Sequence, residues 1–123
     1  MTKKKILVVD DETSITRTVK VNLEKFGKYV VRTENKGADA LPAARQFKPD
    51  IIFLDVMMPD MDGGEVDALL QADPTLKNIP VVFLTAIVTK EETGKDTAVK
   101  GGEKFMAKPV NLEALVKCIE ENT

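Results

Sequence analysis

Five short apolar runs punctuate the chain, at residues 6–9, 29–32, 51–54, 81–84 and 104–107. Three of them (ILVV, IIFL and VVFL) are apolar throughout, as expected of parallel strands covered on both faces. The stretches between them carry helical spacing. Ile15, Val19, Leu23 and Phe26 recur every three or four residues, with Gly27 placed as a C-cap. Val66, Leu69 and Leu70 make a shorter stripe, with Asp62 as its N-cap. Leu112, Leu115, Val116 and Ile119 make the cleanest one, opened by Asn111.

Two helical segments are weak. Residues 38–47 contain Pro42 about one turn in, which removes a backbone donor and predicts a short or bent helix. Residues 90–100 offer only Ala98 and Val99 as apolar anchors, and Gly94 near the middle costs about 1 kcal/mol. This segment reads as a marginal helix, suited to be a moving part. The whole alternation is (βα)5, so the fold class is α/β with a doubly wound five-stranded parallel sheet and right-handed crossovers. No linker, repeat or low-complexity tract divides it, and residues 1–123 read as a single domain. Met1 fits a natural start, while the end at Thr123 fits either a stand-alone protein or a piece of a longer regulator.

Composition narrows the chemistry. A net charge of −2 argues against nucleic acid as a direct partner, because a phosphate-tracking surface needs a basic excess. No apolar run approaches the roughly 20 residues of a membrane span, and no signal peptide is evident. The lone Cys118 excludes an internal disulfide and points to a reducing, cytoplasmic compartment. Histidine is absent, which removes Ser-His and Cys-His catalysis and most zinc sites. Carboxylate chemistry remains.

In an open parallel sheet, ligands bind beyond the carboxyl ends of the strands. The first run ends in Asp10 and Asp11, the third in Asp55, the fourth in Thr85 and the fifth in Lys108; the second offers only Thr33 and Glu34. With the first and third strands adjacent, three carboxylates meet beside a hydroxyl and an ammonium. Two carboxylates about 4 Å apart repel by roughly 4 kcal/mol at an effective dielectric near 20, and three make three such pairs. One lysine does not offset that, so the cluster calls for a hard divalent cation, Mg²⁺ with Mn²⁺ as its substitute. A metal, a lysine, a hydroxyl and a carboxylate nucleophile together suit a phosphoryl group. Taken singly, each residue fits a bland role: a strand-end turn at Asp10–Asp11, a loop cap at Asp55, solvated Thr85 and Lys108, a core Phe105, soft filler at Met57–Met58. Their conjunction at the ends of different strands is what the bland roles do not explain.

The segments ILVVDDE, IIFLDVMMPDMDG, VVFLTA and GGEKFMAKP, in that order with a β–α unit between each, resemble a response-regulator receiver domain of two-component signalling along the full chain. The resemblance implies a flavodoxin-like strand order 2-1-3-4-5. It implies that Asp55 accepts a phosphoryl group from the phosphohistidine of a sensor histidine kinase or phosphotransfer protein. Asp11 would ligate Mg²⁺, Asp10 would hold metal-bound water, and the main-chain carbonyl of Met57 would add a ligand. Thr85 would bond a phosphoryl oxygen, Phe105 would swing inward as a switch, and Lys108, before a cis Pro109, would pair with Asp55. Such a protein is no turnover enzyme, although it assists its own phosphorylation and dephosphorylation. It signals to a downstream effector, with phosphorylation-dependent homodimerisation as one route. The expected output face is the fourth helix, fifth strand and fifth helix, residues 90–100, 104–107 and 112–119. Met57 and Ile87, apolar two positions beyond Asp55 and Thr85, imply slow self-dephosphorylation. Val110 stands where receivers often carry Phe.

Two rivals come from other classes. A degenerate receiver-like module would bind partners without phosphorylation, but all five polar positions are intact. A haloacid-dehalogenase-type phosphatase would explain DMDGG at 60–64, yet there the nucleophilic Asp directly ends an apolar strand, whereas Met-Met-Pro precedes Asp60. Asp60 and Glu65 are expected to be solvated.

Overall fold

The structure, a computed structural model, describes residues 3–85, 97–100 and 103–123. Strands β1 (Lys4–Val9), β2 (Tyr29–Glu34), β3 (Ile51–Asp55), β4 (Val81–Thr85), β5 (Thr97–Lys100) and β6 (Glu103–Ala107) form one sheet. Its order is β2-β1-β3-β4-β6-β5. The five strands expected from the apolar runs are parallel and stand in the implied order, with β6 as the fifth of them. Helices α1 (Thr13–Glu24), α2 (Ala40–Phe47), α3 (Gly63–Ala72) and α4 (Leu112–Asn122) pack on it, with a 3-10 turn at Gly37–Asp39.

The fully apolar runs pack as their composition requires. Ile6, Val8, Phe53, Val82, Leu84 and Met106 face one side, against Val19 and Leu23 of α1 and Leu115 and Ile119 of α4. Leu7, Val9, Ile52 and Leu54 face the other, against Ala40 and Ala44 of α2 and Val66 and Leu70 of α3. Residues 6–9 and 51–54 are wholly inaccessible, so β1 and β3 form a rigid floor whose ends are fixed in space. The strand order reverses at β1, which puts the crevice beyond the ends of β1 and β3. Among the described residues no helix is long and apolar enough to cross a membrane.

Several expectations need correction. Residues 97–100 of the expected marginal helix form β5, antiparallel to β6; residues 90–96, with Gly94, lie outside the described residues, as do Ala86 and Ile87. Thr97 and Val99 are β-branched, which favours the strand. Helix α1 ends at Glu24, so Phe26 falls past it and is half exposed, edge-on to Tyr29. Gly27 carries the positive φ of 76° that ends the turn after the helix. α2 is short, as expected; Pro42 sits in its first turn, where no backbone donor is needed, and a 3-10 turn, Gly37–Asp39, precedes it. Asn111 and Asp62 cap their helices as expected, each accepting from the backbone N–H three residues on.

β2 is an edge strand, and its outward backbone is covered at Val31. Glu24 accepts from the Val31 N–H at 3.1 Å, while Lys20 donates to the Val31 carbonyl at 2.7 Å and to Glu24 at 3.1 Å. The ion pair thus occupies the place a further strand would take. Replacing both Lys20 and Glu24 with alanine is expected to cost about 1 kcal/mol in denaturant unfolding and to increase self-association. Sedimentation velocity that shows an unchanged monomer at high concentration contradicts the second effect.

Candidate phosphoryl-transfer site

The ends of four strands deliver side chains to the crevice. Past β1, Asp10 is fully buried and Asp11 is exposed; β3 ends in Asp55, 4 % exposed, and β4 in buried Thr85. One carboxylate oxygen from each of Asp10, Asp11 and Asp55 lies within 4.8 Å of the other two. Lys108, just past β6, is anchored through its main-chain N–H to the Thr85 carbonyl at 3.0 Å, and its bond to Pro109 is cis. Its ammonium stands 2.8 Å from Asp10 Oδ2, 3.0 Å from Asp55 Oδ1 and 3.6 Å from Glu12 Oε1.

The contact with Asp10 is one of charge. Asp10 Oδ1 accepts from the Glu12 N–H at 2.9 Å, but among the described residues no donor is aligned on Oδ2, which is buried. A buried carboxylate oxygen without a hydrogen bond, among two further carboxylates and no nitrogen or sulfur ligand, fits a hard, oxygen-seeking cation. The residues present therefore fit the divalent ion inferred from the sequence.

Burial raises the Asp55 carboxyl from 3.8 to about 6; the hydrogen bond from Lys108 opposes this, and Asp11 and Asp10 add to it. For Lys108, burial alone would lower the ammonium, but Asp10 and Asp55 outweigh it and raise the group. Because the folded protein holds the Asp55 proton more tightly than an unfolded chain, ionisation of Asp55 costs stability above about pH 6. That cost fades as pH falls. The metal-free protein is therefore expected to be more stable at pH 5 than at pH 7, in a window above the range where Glu24, Asp60 and Glu120, all held low, begin to protonate. Saturating Mg²⁺ should reverse that order, since metal ligands must be deprotonated. Denaturant midpoints with EDTA that fall from pH 7 to pH 5 would contradict this.

The loop after β3 is closely held. Val56 N–H donates to the Leu84 carbonyl and Gly63 N–H to the Val56 carbonyl. A Cβ on Gly63 would stand 2.6 Å from the Asp55 carbonyl oxygen, so only glycine lets α3 begin this close to the end of β3. Asp60 and Glu65 are exposed as expected, but Asp60 also accepts from the Gly37 and Ala38 N–H groups at 3.1 and 3.0 Å, and these bonds lower its carboxyl. Met58 is buried filler, but Met57 is 70 % exposed beside Asp55. Phe105 is half-buried and stacks on Phe83, centroids 5.4 Å apart. Cys118 is buried.

Three contributors escaped the sequence reading: Glu12 against Lys108, Asp60 across the loops, and Asn35. Asn35 follows β2 and donates to the Asp10 carbonyl at 2.8 Å and to Thr16 Oγ1 at 3.0 Å. It stands one position past Glu34, the last of the polar residues considered there.

Comparison with known proteins agrees with this geometry. The family described as "Response regulator receiver domain" matches residues 6–120. Protein PilH of Pseudomonas aeruginosa is 35 % identical over 116 residues, covering 94 % of this chain and 93 % of PilH. The alkaline phosphatase synthesis transcriptional regulatory protein PhoP of Bacillus subtilis is 42 % identical over 120 residues, 94 % of this chain but 48 % of PhoP. The solved structure of the Vibrio cholerae chemotaxis protein CheY4 superposes with a TM-score of 0.82 at 33 % identity, covering 98 % of this chain and 99 % of that one. The chain thus spans about half the length of some relatives and nearly all of others.

Proposed function

Because the chain belongs to the response-regulator receiver family, we propose that it is a phosphorylation-activated switch in which Asp55 is the phosphoacceptor. The observation that carries this is the place of Asp55: buried at the end of β3, bonded to Lys108, within reach of Asp10 and Asp11. A carboxylate oxygen of Asp55 attacks the phosphorus of a phosphohistidine on a sensor kinase or phosphotransfer protein. The P–N bond breaks, and the imidazole nitrogen leaves with the electron pair and takes a proton. Asp10, Asp11, Asp55 and the Met57 carbonyl would hold Mg²⁺ or Mn²⁺, which supplies positive charge against the phosphoryl oxygens. Lys108, 3.0 Å from Asp55 Oδ1, would pair with a phosphoryl oxygen. Thr85 donates its hydroxyl to another, and Phe105 turns inward from its stack on Phe83.

A downstream effector, or a second phosphorylated copy, would then read β6 and α4, with β5 in place of part of the expected helix. The setting is cytoplasmic, consistent with a sensor kinase as donor. The test is phosphorylation by acetyl phosphate with Mg²⁺, read by intact mass. One phosphoryl group per chain is expected. No labelling would favour a binding module that works without phosphate, and turnover of free phosphate esters would favour the phosphatase.

Met57, two residues beyond Asp55, is apolar and largely exposed. It orients no attacking water, so the aspartyl phosphate should persist for minutes or longer. Met57→Asn, which supplies a donor and an acceptor, is expected to hasten its loss several-fold. A parent half-life of seconds, or equal rates in the two proteins, would contradict this.

A further inference from the structure

We propose that Asn35 is a positioning residue for the acidic pocket: it fixes the Asp10–Asp11 peptide so that both acids converge on Asp55. The inference rests on the phosphoacceptor reading above and extends it to the opposite edge of the site. Asn35 spends both protons of one amide group on two elements, the Asp10 carbonyl at 2.8 Å and Thr16 Oγ1 at 3.0 Å. Thr16, 3 % exposed, passes its own proton to the Thr13 carbonyl at 3.2 Å in the first turn of α1. A partly buried polar chain therefore runs from the end of β2, past the end of β1, into the helix that follows.

Its effect on Asp10 follows from counting bonds. The Asp10 N–H donates to the Glu34 carbonyl at 3.1 Å, its carbonyl accepts from Asn35, and its Oδ1 accepts from the Glu12 N–H. With these three atoms held, Oδ2 is the atom left over, buried and turned toward Lys108. The consequence for Asp11 is covalent. The carbonyl of Asp10 and the nitrogen of Asp11 share one planar peptide, so holding that carbonyl sets the plane from which Asp11 departs. Asp11 is exposed, and the direction of its carboxylate depends on this plane. Asn35 thereby restrains the one acid of the cluster that burial does not restrain.

The prediction is read on metal affinity, by titrating the unphosphorylated protein with Mn²⁺ and following free Mn²⁺ by electron paramagnetic resonance. Loss of a hydrogen bond of this kind should weaken affinity by about 3- to 10-fold in Asn35→Ala. Thr16→Val should weaken it less and Thr16→Ser should restore it. The double variant should be no worse than Asn35→Ala, since Thr16 acts through Asn35. Arg45→Ala, which breaks the exposed contact with Asp73 between α2 and α3, controls for general loss of stability and should leave affinity unchanged. Parental affinity in Asn35→Ala, or an equal loss in Arg45→Ala, overturns the positioning role and leaves the phosphoacceptor reading intact. A parent that binds no Mn²⁺ overturns both. If Asn35→Ala does not fold, the contrast between Thr16→Val and Thr16→Ser decides, and equal affinities there overturn the role.

Discussion

Asp55→Asn is expected to abolish phosphorylation by acetyl phosphate and Mg²⁺ while leaving the protein at least as stable as the parent. Asparagine keeps the shape of the side chain, and its amide oxygen still accepts from Lys108. It has no charge and no nucleophilic oxygen for attack on phosphorus, so intact mass should show no added phosphoryl group. Stability moves the other way because of where Asp55 sits. Burial and two neighbouring acids already disfavour its ionised form, so neutralising it removes repulsion from the metal-free pocket. Loss of labelling together with a raised denaturant midpoint in EDTA is the expected pair of results. Labelling at the parental level would move the phosphoacceptor elsewhere. Lost labelling with a collapsed midpoint would mean that Asp55 holds the fold and would leave its chemistry undemonstrated. The same substitution should weaken Mg²⁺ binding, since one of three clustered carboxylates becomes neutral.

The parts of this site that were legible in the sequence are those written along single strands. A run such as IIFL, short and apolar throughout, suits a strand buried on both faces, and the first polar residue after it stands at the sheet's carboxyl edge. Asp10, Asp55, Thr85 and Lys108 all follow that rule. What was not legible depends on pairs distant in sequence. The bonds of Asp60 to Gly37 and Ala38 join two loops, and nothing near Asp60 announces them. Asn35 likewise meets Asp10 only because β2 lies beside β1. Residues 97–100 were misread because Ala98 and Val99 suit either period over so short a stretch, and pairing with β6 decided it. Phe26 fits the helical stripe by spacing, yet α1 ends at Glu24, before reaching it. Met57 and Met58 are identical in composition and adjacent, but one faces the core and the other solvent.

Lys108→Met should produce the largest change in stability, and one that Mg²⁺ repairs. Among the described residues Lys108 is the cation in contact with both Asp10 and Asp55, and its side chain is only 13 % exposed. Methionine preserves the apolar stem and removes the charge. Breaking a buried pair from one side costs about 3–5 kcal/mol in general. Here the loss at pH 7 should be smaller, about 2–3 kcal/mol, because Asp55 already titrates near 6 and can take up a proton in the variant. Acidification to pH 5 should therefore recover much of the loss. So should Mg²⁺, because three carboxylates without their lysine bind a cation more tightly, and a ligand that binds only the folded state stabilises it in proportion to its affinity. The variant should thus gain more from saturating Mg²⁺ than the parent does. Its phosphorylation should still be slowed by at least about 10-fold, since removing an electrostatic partner of the transferring group raises the barrier whatever the metal does. Denaturant midpoints with and without Mg²⁺, at both pH values, check the stability claim. If Mg²⁺ stabilises parent and variant equally, Lys108 and the metal do not share the same carboxylates, and the pocket is not the metal site proposed for it.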